Sequence, residues 1–172
     1  AVGYTDSNTA NFSADQGHQA VHRRTLYTFI KRTAPPPQMS TFDGPSRESC
    51  VVRRERSNSP MQALLLMNDP QFVECARGLA ERTMKEASEA VDKRADFVLR
   101  QCLLRVPTDV EVAGLVADFH SFHNEFSTNP ESAKALLAVG EESVGAVFDP
   151  AELAAWTMVS NVVLNLDEFL NK

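Results

Sequence analysis

Arg53, Arg54 and Arg56, with Ser57 and Asn58 directly after them, are the side chains of this 172-residue chain best suited to hold a ligand. Guanidinium forks match sulfate, phosphate and carboxylate oxygens. The run leads into a helix start at Ser59-Pro60, and the open amides of a helix N-terminus also favour anions. Ser57 and Asn58 add neutral donors. Upstream, Tyr27 and Phe29 offer flat faces on which a sugar ring can stack. An architectural reading fits the same residues: Ser59 caps the helix, Asn58 ties down the loop, and the arginines meet carboxylates of the same chain. The sequence supports an anion site and an architectural link alike.

Other reactive side chains give weaker patterns. His120 and His123 stand three apart in a helical stretch, but a metal site needs further ligands, and none is implied nearby beyond Asp118 or Glu125. His18 and His22 are paired with no nucleophile. Glu141-Glu142 and Asp167-Glu168 are adjacent, whereas a pair acting across a glycosidic bond must flank it several ångströms apart. The chain has no G-x-S-x-G, H-E-x-x-H, G-x-G-x-x-G or phosphate-binding glycine loop. No catalytic and no metal-ligating residue is therefore assigned. Cys50, Cys75 and Cys102 form an odd set without C-x-x-C spacing, which excludes a local zinc knuckle or haem attachment. Cys75 and Cys102 sit in helical patterns among apolar residues and read as buried thiols, with one disulfide between two of the three cysteines as the alternative.

Charge is unevenly placed. From Val21 to Arg56 eight Lys/Arg oppose three acids, a balance of +5; residues 61–172 carry nine basic and eighteen acidic residues, a balance of −9. The basic half can dock on acidic surface, on a neighbouring domain, or on an anionic ligand. Nucleic acid is a poor candidate, because the whole chain has net charge −6 and no recognised motif. No apolar run reaches the ~18 residues of a membrane span.

The elements that must position these residues are helical. The sequence predicts a mostly α, non-repetitive single domain of about six to seven helices, with at most one very short strand at Cys50-Val51-Val52. Residues 1–15 read as irregular and 16–172 as the helical domain. A first helix is expected from about 16 to 33, ended by Pro35-Pro36-Pro37, which should form an extended strut. Residues 38–49 read as a loop turning near Asp43-Gly44-Pro45. Ser59-Pro60, Asp69-Pro70, Asn129-Pro130 and Asp149-Pro150 pair a capping side chain with a proline suited to the first helical turn. Met61 to Met67 is almost wholly apolar and should be buried on all sides. Thr108-x-x-Glu111 is a capping box. The last long helix, about 150–165, has apolar residues all round and should be central, with Asn161 and Asn165 needing partners.

The strings RRTLYTFIKRTAPPP, FDGPSRESC, VRRERSNSPMQALLLMNDPQFVE and DPAELAAWTMVSNVVLNLDEFL together resemble one family over roughly residues 20–170. It is the domain of unknown function that closes large secreted planctomycete proteins, which commonly carry a cytochrome-c-like segment upstream. The resemblance implies an extracytoplasmic or cell-surface setting and a chain that is the C-terminal part of a longer polypeptide. Its partners would be the upstream domains, with anionic, sulfated polysaccharide as the alternative. It supplies no catalytic residue and no cofactor for this chain; a haem would belong upstream. The pattern departs at His22, where the family has Tyr, and at Ile30, where it has Trp. On this reading the chain is a non-catalytic helical module docking through residues 21–60, and the alternative is an Arg-rich polysaccharide site.

Overall fold

A cap followed by proline opens four helices in the computed structural model, which describes residues 22, 25–28, 30, 35–45, 50–53, 57–142 and 148–170. Among these residues the chain forms eight α-helices and no strand: α1 Pro37–Thr41, α2 Pro60–Asn68, α3 Pro70–Glu86, α4 Val91–Leu103, α5 Asp109–Thr128, α6 Pro130–Leu137, α7 Pro150–Leu164 and α8 Asp167–Leu170. Asp69 accepts from the Gln71 amide at 2.9 Å, Asn129 from Ser132 at 3.4 Å and Asp149 from Glu152 at 2.9 Å. Each oxygen satisfies a donor that the helix leaves open. The expected helix over 16–33 falls mainly outside the described residues, which hold a short 3₁₀ turn at Thr25–Tyr27.

Two expectations need correcting. Residues 38–49 are not all loop, because the last proline of the strut starts α1. Pro36 has the extended geometry expected, φ −54° and ψ 134°, and Pro37 takes the first helical position, where its missing amide costs nothing. Cys50-Val51-Val52 forms no strand, within the expected limit of at most one. In α2, Leu66 is buried, but Met61, Leu64 and Met67 are exposed.

The chain divides into two units, residues 1–62 and 63–172. In the second, α7 packs on α3, α5 and α6. Leu153, Ala154, Ala155, Trp156, Val159 and Val163 of α7 are all buried. They meet Ala80 and Met84 of α3, Val98 and Leu99 of α4, Leu115, Phe119 and Phe126 of α5, and Ala133 and Leu137 of α6 in one core. The Trp156 and Phe119 rings stack at 4.6 Å between centroids. Asn161 is buried and its Nδ2 donates to the Met67 carbonyl at 3.4 Å, one of the carbonyls that α2 leaves open at its end.

The capping box at Thr108 forms as the sequence predicts and is extended by an arginine three residues before it. Thr108 Oγ1 accepts from the Glu111 amide at 3.3 Å, and Glu111 Oε2 accepts from the Thr108 amide at 2.7 Å. Arg105 donates to both oxygens of Glu111, at 2.5 and 3.0 Å, and to both of Glu168, at 2.7 and 2.8 Å. Arg105, followed by the Thr108 amide and hydroxyl, holds the Glu111 carboxyl down to about 2, from an ordinary value near 4.5. A carboxyl depressed in the folded state stabilises the fold fully above its unfolded value, and that contribution fades as pH falls through the folded value. Wild-type stability should therefore fall between about pH 4.5 and pH 2 more steeply than that of Glu111→Gln, as followed by thermal melts across that range.

Candidate functional site

Ser57, which the sequence offers as an anion donor, is held by a carboxylate. Its amide donates to Asp43 Oδ2 at 2.7 Å, and its hydroxyl lies 2.8 and 2.9 Å from the two Asp43 oxygens. Asp43 presents that carboxylate from the left-handed region, φ 55°, which Asp adopts more readily than most residues. The next residue, Gly44, donates its amide to the Met39 carbonyl at 2.6 Å, and a Cβ on it would meet the same oxygen at 2.6 Å. Only glycine lets the chain pass so close to α1.

Gln62 completes this bracket. Its Oε1 accepts from the Ser59 amide at 2.9 Å, while Ser59 Oγ accepts from the Gln62 amide at 3.4 Å, a reciprocal capping box. Gln62 Nε2 then donates to the Thr41 carbonyl at 2.8 Å and to Ser57 Oγ at 3.1 Å. Gln62 is the one buried side chain among the described residues up to 62. The sequence showed the Ser59 cap; the S-x-x-Q spacing was the available signal for Gln62.

The remaining sequence candidates divide as follows. Arg53 is exposed and makes no ion pair among the described residues. Asn58 and Tyr27 are exposed. Arg54, Arg56 and Phe29 lie outside the described residues. The structure thus brings together Ser57, Asp43, Ser59, Gln62 and the Thr41 carbonyl, with an acidic group at the centre.

Buried charge elsewhere is organised around two arginines that the sequence did not single out. Arg77 of α3 donates to the carbonyls of Leu137 at 2.5 Å, Val139 at 2.8 Å and Glu142 at 2.6 Å. One turn earlier, the buried Glu74 accepts from the amides of Glu141 at 3.1 Å and Glu142 at 3.2 Å. The two side chains lie 4.0 Å apart. Together they clamp the C-terminal end of α6 and the segment after it. Gly140 sits in this clamp with φ 100°, and a Cβ there would collide with Glu74 Oε2. Its role is close approach to a carboxylate, three residues beyond the helix end. Arg94 of α4, also buried, pairs with Glu152 in the first turn of α7 at 2.5 Å.

His120 is exposed and His123 half-buried, and the His123 ring stacks on Phe119 at 5.6 Å between centroids. Among the described residues no three His, Cys, Asp or Glu side chains are grouped to hold a metal ion. The amides of Glu141 and Glu142 serve the Glu74 clamp. Cys102 is buried, as expected, but Cys75 is exposed, and all three cysteines are thiols. No helix among the described residues is long and apolar enough to cross a membrane.

Residues 3–118 match the family described as PSD1, protein of unknown function (DUF1553). No curated protein matches the chain, and no solved structure matches it.

Proposed function

The chain belongs to the PSD1 family of proteins of unknown function (DUF1553), and from that premise we propose that it is a non-catalytic docking module, engaging an upstream domain of its own polypeptide through residues 21–60. One observation carries this reading. Among the described residues up to 62, no apolar side chain is buried, while Leu26, Tyr27, Val51, Val52 and Met61 are exposed. Exposed apolar side chains at this density mark surface that a partner covers. The polar bracket ties Thr41, Asp43, Ser57 and Gln62 to one another without supplying an apolar core. The +5 balance of residues 21–56 adds long-range attraction to an acidic partner.

The resemblance of four separated motifs to the closing domain of secreted planctomycete proteins supports placing the module extracytoplasmically. On that basis the partner is the upstream part of such a protein, where any cytochrome-like segment would reside. Hydroxyl-radical footprinting reads the docking directly: Tyr27, Val52 and Met61 become shielded in the full-length polypeptide relative to the isolated chain. The exposed Arg53 supports the anionic-polysaccharide alternative. On that alternative, dextran sulfate added to the isolated chain would shield Tyr27, and the upstream domain would not.

A further inference from the structure

The corner between α4 and α5 combines backbone strain with exposed apolar side chains. Leu104 ends α4 at φ 55° and ψ 29°, and its amide donates to the Arg100 carbonyl at 3.1 Å. This is the left-handed position that helices usually give to glycine, because a Cβ crowds the carbonyl there. Leucine is strained at that point and its side chain is 79 % exposed, so the fold gains no burial from it. Val106 and Val110 follow, at 67 % and 81 % exposure. Residues held in unfavourable backbone regions cluster where a surface has a task.

The surroundings indicate what the surface would take. Arg105 grips Glu111 and Glu168 and so ties the corner to α8, where Leu170, and Leu166 just before the helix, are also exposed. Residues 104–111 and 166–170 hold one basic residue, Arg105, against four acids, Asp109, Glu111, Asp167 and Glu168, a balance of −3. Exposed apolar side chains accompanied by net negative charge are complementary to apolar side chains flanked by Lys or Arg. A symmetric pairing of two copies would set −3 against −3, and an anionic bilayer would be repelled. We propose that the α4–α5 corner, with Leu104, Val106 and Val110 at its centre, docks a basic amphipathic segment of a partner protein. The proposal uses no residue before 104 and stands apart from the docking role of residues 21–60.

A fluorescein-labelled Leu/Lys amphipathic peptide, titrated with the whole chain at physiological salt, is the probe. The variant Leu104→Gly/Val106→Thr/Val110→Thr keeps every charge. It should bind the peptide at least about tenfold more weakly, the scale of losing central apolar anchors. Leu104→Gly alone should raise Tm by ~2–4 °C through relief of the left-handed leucine, which separates lost binding from unfolding. A matched Leu/Glu peptide should not bind. Equal binding by the triple variant, or binding of the Leu/Glu peptide, would overturn the proposal. So would concentration-dependent self-association in sedimentation that the triple variant abolishes, because the occupant would then be a second copy.

Discussion

Replacing Arg77 by methionine will destabilise the fold by about 3–5 kcal/mol, the cost of breaking a buried ion pair from one side. The guanidinium donates to the carbonyls of Leu137, Val139 and Glu142. Its removal takes the donors from all three and deletes the guanidinium that lies 4.0 Å from the buried Glu74, 5 % exposed. A buried group left unsatisfied costs more than a hydrogen bond returns when it forms. The double variant Glu74→Gln/Arg77→Met should be less destabilised than the sum of the two single variants, because it no longer buries an uncompensated charge. Urea unfolding of the four proteins closes the cycle. Strict additivity would mean that the two side chains, 4.0 Å apart, act independently.

Trp156→Ala should be comparably severe, about 3–5 kcal/mol, through the cavity it leaves. The side chain is fully buried at the centre of α7, and its ring stacks on Phe119. Its Nε1 has no hydrogen-bond partner, so the indole contributes by volume and ring contact. Trp156→Phe should accordingly cost much less, within the ~1.5 kcal/mol typical of apolar replacements that roughly keep volume. Equal losses for alanine and phenylalanine in thermal or urea unfolding would show that the N–H matters and the packing account is wrong.

What the sequence revealed and what it hid follow from the range of the interactions. Caps are local: Asp69, Thr108, Asn129 and Asp149 each bond an amide two or three residues on, so four residues suffice to predict them. The buried sides of α3, α4 and α5 are local in the same sense, since apolar spacing along a helix encodes one buried side. The apolar run of α2 gave no such guide. With hardly a polar residue among Met61 to Met67, nothing marked which side meets solvent, and Met61, Leu64 and Met67 proved exposed. Cys75 misled for a related reason, because a small residue within an apolar helical pattern fits either face.

The Glu74–Arg77 clamp was hidden by distance. Its bonds cross 60 to 68 residues, and an i,i+3 Glu/Arg pair on a helix ordinarily reads as surface charge. The candidate site was visible in composition more than in geometry. The Arg53–Asn58 run announced itself, but the acceptor that binds Ser57 is Asp43, fourteen residues earlier in the chain. The close approach of Gly140 to Glu74 could not be read without the fold.

The central claim is that the exposed apolar side chains of residues 22–62 are covered by an upstream domain. Hydroxyl-radical footprinting of the full-length polypeptide beside the isolated chain tests it most directly. The docking account predicts that Tyr27, Val52 and Met61 oxidise markedly more slowly in the full-length protein, while the exposed His120, remote in sequence from the docking segment, serves as a reference. Equal oxidation rates for Tyr27, Val52 and Met61 in the two proteins would contradict it.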